Sequence, residues 1–250
     1  MRAGLSLLVV AGFLCLTIAP RSYATGADAA FAKANSDYAA GRFREAIAGY
    51  ESLAKDRQWS ASLFYDLGNA CFRVGDRGRA ILNYERALAL DPSQPEAQAN
   101  LGLMRDQARA LELTKSWPEE HLAFLTANQY AWLAAAAFWC GAFILGGLSL
   151  AQRRPVVWIF ALLLLSAICV GSVFAVYAFE NGAAGRDVAI VTAKNIQARL
   201  ATAENTGTVL VLPPGSEIKI LSTRGEWIYA ALPNELRGWV TANCADTVRL

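Results

Sequence analysis

One histidine, His121, stands in 250 residues, which excludes zinc sites of the usual histidine-rich kind and any chemistry that needs several imidazoles. There is no Gly-x-Ser-x-Gly elbow and no phosphate-cradling glycine loop. Charge of one sign is also scarce: 23 basic against 21 acidic residues leave a formal charge of +2, too little to draw a nucleic acid. Most telling is where charge is missing. No Asp, Glu, Lys or Arg occurs between His121 and Arg153, and none between Arg154 and Glu180. The flanks are ordinary, with 12 basic and 14 acidic residues over 25–120 and seven of each over 180–250. A single soluble globule is therefore excluded. The overall hydrophobic fraction of 55% and mean hydropathy of +0.28 average over two soluble segments and a greasy middle.

The start of the chain has the pattern of a signal peptide over residues 1–24. Arg2 supplies the positive end, Leu5 to Ile18 an apolar run too short to span a bilayer comfortably, and Ser22-Tyr23-Ala24 the small residues of a cleavage site. The alternative is an uncleaved anchor helix. The middle predicts two transmembrane helices, 130–150 and 156–179, each long enough to cross ~30 Å of hydrocarbon. Between them Arg153-Arg154 marks the cytoplasmic side, and Pro155 suits the first turn of the second helix. Both flanks then face outward. Trp117, Tyr130, Trp132, Tyr177 and Phe179 form an interfacial aromatic belt.

Sliding the chain over itself by 34 residues aligns Asn35 with Asn69, Tyr38 with Phe72 and Gly41 with Gly75. The same shift pairs Ala46 with Ala80, Ile47 with Ile81 and Tyr50 with Tyr84. This period and residue placement resemble the tetratricopeptide repeat. Gly68 and Ala80 let paired helices approach closely, Leu67 and Tyr84 fill the space between them, and Pro92 ends the second helix. A weaker copy over 27–60 has Ala34 in the glycine position, and a third copy from Pro95 keeps Leu101-Gly102 but lacks its second helix. The domain is bounded at 25–115. Such arrays present a groove lined by their first helices. Phe31, Asn35 and Tyr38 would face it from one copy, and Tyr65, Asn69, Phe72 and Arg73 from the next. The two asparagines read either as holders of an extended peptide backbone or as solvated helix positions. Chaperone-binding relatives grip a C-terminal carboxylate with basic residues, whereas Phe31 stands where a lysine would be expected.

After Asn181-Gly182-Ala183-Ala184-Gly185, β-branched runs replace helical periodicity over 186–250. The expected strands are 187–192, 195–199, 208–212, 216–222, 227–231 and 238–241, short enough for a small barrel. Val188, Val191-Thr192-Ala193, Gly215, Trp227 and Gly238-Trp239-Val240 resemble bacterial SH3-type domains. Trp227, Tyr229 and Trp239 then read as an aromatic peptide groove, cell-wall peptides being what the resemblance implies. The alternative is that both tryptophans fill a small core.

Catalysis finds no machinery. His121 lies beside the membrane, Glu119-Glu120 reads as a solvated stretch, and Cys71 as core. Cys15 leaves with the signal peptide and Cys140 and Cys169 lie in the membrane, so only Cys71 and Cys244 remain, in separate domains. No structural disulfide, metal or cofactor is expected. The fold class is a multidomain membrane protein: an all-α tetratricopeptide repeat array, a two-helix transmembrane hairpin and an all-β SH3-like barrel. That order resembles the BatE-type proteins of bacterial aerotolerance operons. The resemblance implies a non-catalytic scaffold in a stress-tolerance complex with MoxR-type ATPase and von Willebrand factor A-domain proteins, both soluble domains being periplasmic. The alternative is a module that binds or senses peptidoglycan.

Overall fold

The computed structural model describes residues 26–122, 124–150, 156–182, 185–194, 196–203 and 205–250. The expected signal peptide, and the turn carrying Arg153, Arg154 and Pro155, lie outside the described residues. The chain divides into two units, Met1–Trp59 and Ser60–Leu250.

In the first unit, α1 (Gly26–Ala39) packs on α2 (Phe43–Lys55). The helices can approach because small residues face each other: a Cβ on Gly49 would sit 3.0 Å from the Ala34 methyl. Ala34, Ala46, Ile47, Tyr50 and Leu53 are buried there. Gly41 joins the helices in the left-handed region, φ 77°, and the amide of Arg42 bonds the Asp37 carbonyl at 2.9 Å, the backbone signature of a Schellman stop.

The second unit opens with the same hairpin, built from α3 (Ala61–Arg73) and α4 (Arg77–Leu90). Ser60 caps α3 by accepting from the Leu63 amide at 3.1 Å, and Asp76 caps α4 through Arg79 at 3.2 Å. Gly75, φ 78°, repeats Gly41, and Asp76 bonds the Cys71 carbonyl as Arg42 bonds Asp37. Here the close approach falls on Gly68, where a Cβ would stand 2.8 Å from the Tyr84 ring. Helix α5 (Pro95–Ala108) packs on α4. It ends another 34 residues on, at Arg109, φ 52°, with Ala110 bonding the Arg105 carbonyl. The third copy therefore stops as the others do. An arginine stands where they have glycine, and the chain turns away instead of forming a second helix.

Short α6 (Trp117–His121) leads to α7 (Ala127–Leu150) and α8 (Val156–Asn181). Ala134, Ala137, Ser172 and Ala175 are buried along the pair, while Trp132, Phe143 and Val157 point outward. Mean hydropathy reaches 1.8 and 2.7 over Ala127–Leu148 and Val156–Asn181, yet only 6% and 11% of these windows are buried. A core helix of a soluble protein would be mostly buried. Both helices are long and apolar enough to cross a membrane.

The C-terminal part is one antiparallel sheet of seven strands in the order β3-β2-β6-β5-β4-β1-β7. The strands are β1 (Val188–Val191), β2 (Ile196–Arg199), β3 (Thr208–Leu212), β4 (Glu217–Arg224), β5 (Trp227–Ala231), β6 (Arg237–Thr241) and β7 (Ala245–Thr247). All six expected strands form, and β7 is additional; its three residues pair with the outer side of β1. The sheet's core comprises Ala189, Val191, Ala198, Leu212, Ile218, Ile228, Ala230, Leu232, Val240 and Cys244. Every residue of β1 is buried, because α4 covers its other face. A Cβ on Gly78 of α4 would meet the Thr192 carbonyl oxygen at 2.7 Å, and Arg86 donates to the Thr247 carbonyl at 2.8 Å. The sheet is thus docked on the second repeat, a contact the sequence reading does not anticipate.

Candidate partner-binding surfaces

Helix α1 places Phe31, Asn35 and Tyr38 at i, i+4 and i+7, along one stripe. Phe31 and Tyr38 are half-buried and Asn35 is exposed. The Phe31 ring lies 5.8 Å from Tyr50, and Tyr38 meets Phe43 edge-on at 5.3 Å. The Tyr50 hydroxyl donates to Asn35 Oδ1 at 2.6 Å. Helix α3 repeats the stripe with Tyr65, Asn69 and Phe72. Tyr65 lies 6.0 Å from Tyr84, and the Tyr84 hydroxyl donates to Asn69 Oδ1 at 2.8 Å. Phe72 and Arg73 are exposed at the end of the helix.

Asn100, on α5, completes the second stripe. Its amide donates to Asn69 Oδ1 at 3.1 Å and to the Tyr65 hydroxyl at 3.4 Å. Sequence reasoning misses it because Asn100 has no counterpart asparagine 34 residues earlier, where Asp66 stands. Two donors fill the two lone pairs of the Asn69 carbonyl, so what this side chain offers a ligand is its N–H groups. The residues of each stripe are thus brought together within their own hairpin, and tyrosines 15 residues downstream orient both asparagines.

The second surface lies on the sheet. Strand alternation buries Ile228, Ala230 and Val240 and turns Trp227, Tyr229 and Trp239 to the opposite face, where all three are half-buried. Tyr229 and Trp239 are direct cross-strand partners, and their rings lie 5.0 Å apart. Arg199 of β2 pairs with Trp239 from the other side. The core contains neither tryptophan.

Burial pushes the Cys71 thiol up to about 12, with the charge of Asp76 adding to it, and burial raises the Cys244 thiol too. Neither supplies a thiolate nucleophile near neutrality. His121 Nδ1 donates to the Trp117 carbonyl at 3.0 Å, and its ring stacks on the Trp117 ring. Among the described residues, no group of three His, Cys, Asp or Glu is placed to hold a metal ion.

Residues 69–105, from mid-α3 through α4 into α5, match the family model of the TPR repeat. No curated protein matches the chain. TPR repeats are scaffolds for protein–protein interaction, and this chain carries one beside two helices able to cross a membrane and an antiparallel sheet.

Proposed function

We propose that the chain is a non-catalytic adaptor anchored in a bacterial inner membrane. A signal peptide over 1–24 exports the repeat domain, 25–115. Helices over 130–150 and 156–179 anchor it, and an SH3-like domain, 186–250, returns to the periplasm. The observation that carries the adaptor reading is the TPR match over 69–105, at whose start Asn69 stands. Its protein partners are membrane proteins of a Bat-type complex, with von Willebrand factor A-domain and MoxR-associated components, a context drawn from the order of segments. The contact of β4 with the chain after α5 supports a same-side topology, because two crossings return a chain to the side it left. A reporter fused after Leu250 should be active only if it needs export, and one inserted at Gln152 only if it needs the cytoplasm. The opposite pattern refutes the arrangement.

The aromatic strip of Trp227, Tyr229 and Trp239, turned away from the core, favours a second reading in which the sheet binds peptidoglycan. Incubating the detergent-solubilised chain with cell-wall sacculi separates the two. Sedimentation with sacculi supports wall binding. Recovery in the supernatant, with partners crosslinked in the membrane, supports the adaptor alone.

A further inference from the structure

Repeat and sheet meet around one guanidinium. Arg105, on α5, is largely buried; its Nη2 reaches Glu85 Oε1 of α4 at 2.6 Å and also Glu217 Oε1 of β4. Nη1 reaches Glu112 Oε2 at 3.2 Å. Backbone bonds frame the cluster. Glu217 N donates to the Leu111 carbonyl at 2.8 Å, Leu111 N to Ser216 Oγ at 3.1 Å, and Leu113 N to Glu217 Oε2 at 3.0 Å. We propose that Arg105 with Glu85, Glu112 and Glu217 is a proton-operated latch that holds the sheet on the repeats.

The charges do not balance. Three carboxylates converge on one guanidinium, and Lys115, on the segment after α5, adds a weaker positive charge to Glu85 and Glu217. Burying a carboxylate without a full counter-charge is costly, so the cluster gains by taking up a proton. Burial pushes the Glu85 carboxyl up to about 7; Arg105 opposes this, and the charges of Glu217 and Glu112 add to it. Glu217 is raised as well, by burial first, against the pull of Arg105 and the Leu113 amide. A carboxyl raised on docking makes docking strongest below its undocked value. That added stability is lost as pH rises through the docked value. The latch therefore holds at mildly acidic pH and weakens towards neutral and alkaline pH.

What it releases follows from β4. Two residues beyond Glu217, Lys219 donates to the carbonyl of Asn181 at the end of α8, and Arg249 pairs with Glu180 at 3.0 Å. The sheet is thus tied to the hairpin independently of the latch. Opening would loosen the chain after α5 from β4, while the α4 contacts at Gly78 and Arg86 and the ties to the hairpin keep the sheet in place. This goes beyond the adaptor reading and does not depend on what the repeats bind.

The test is hydrogen exchange on the full chain in micelles, corrected for intrinsic rates, at about pH 5.5 and about pH 8. Peptides covering 109–115 and 215–219 should lose ~tenfold or more of their protection at the higher pH, each unit of carboxyl shift being a factor of ten. Strands β5 and β6 should not change. Glu85→Gln and Glu217→Gln, made separately, should each flatten that response while keeping protection high, and either variant suffices if the other fails to fold. Equal wild-type protection at both pH values overturns the latch, as does a folded Glu85→Gln chain that keeps the full response. Neither result bears on partner binding by the repeats.

Discussion

The Tyr84 hydroxyl donates to the Asn69 side-chain carbonyl at 2.8 Å, and 34 residues earlier Tyr50 makes the same bond to Asn35 at 2.6 Å. A bond repeated at the period of the array orients the amide of each stripe. Tyr84→Phe keeps the ring that packs against Gly68 and removes only the hydroxyl. A net hydrogen bond is worth ~0.5–1.5 kcal/mol, so binding in the stripe should weaken up to about tenfold with the melting temperature little changed. Titration of a captured partner against both chains, with thermal melts alongside, measures this.

Gly68 sits where a Cβ would stand 2.8 Å from the Tyr84 ring. Gly68→Leu overpacks a contact that has no room to give, at a cost of ~1–3 kcal/mol. Melting of the full chain, followed by circular dichroism at helical wavelengths, should show the repeat transition several degrees lower. An unchanged transition means the helix pair is not packed through this glycine.

Cys71 is fully buried and its thiol is pushed up to about 12. It should resist alkylation by iodoacetamide in the native chain near pH 8 and react on denaturation, as should Cys244, which is also buried. Mass spectrometry of the modified peptides reads both. Rapid native labelling of Cys71 would contradict its place between α3 and α4.

Trp227 lies outside the sheet's core and on the face of Tyr229 and Trp239. Trp227→Ala should therefore leave the sheet folded, with near-UV circular dichroism changed only by the lost chromophore. Under the wall-binding reading the same variant should no longer sediment with sacculi. Loss of the whole near-UV signal would mean that the ring supports the fold.

Much of this architecture was legible because it is written in short-range signals. The 34-residue period is visible in Gly41 and Gly75, which occupy left-handed positions no other residue type adopts as cheaply. The two apolar helices are visible as runs without charge, and six strands as β-branched segments between turns. What was hidden rests on long-range or atypical contacts. Strand β7 has only three residues, Ala-Asp-Thr, and forms because β1 has an open side. Arg109 takes the position that glycine holds in the other copies, so no glycine marks the end of α5. Glu85, Arg105, Glu112 and Glu217 belong to no motif in the sequence, and the docking of β4 on the repeats brings Glu217 to the other three. The stripes of α1 and α3 followed from helical spacing. The tyrosine hydroxyls that use up the asparagine carbonyls, and Asn100 beside them, required the neighbouring helices.

The most direct measurement of the adaptor reading is photo-crosslinking in intact membranes from a photoreactive residue at Phe72, which is exposed beside Asn69. The account predicts a discrete protein adduct. Combining Asn35→Ala with Asn69→Ala should weaken it by about one to two decades, two lost hydrogen bonds at ~0.5–1.5 kcal/mol each, with helix content unchanged. No adduct from Phe72, or an adduct undiminished in a folded double variant, would contradict partner binding through these repeats.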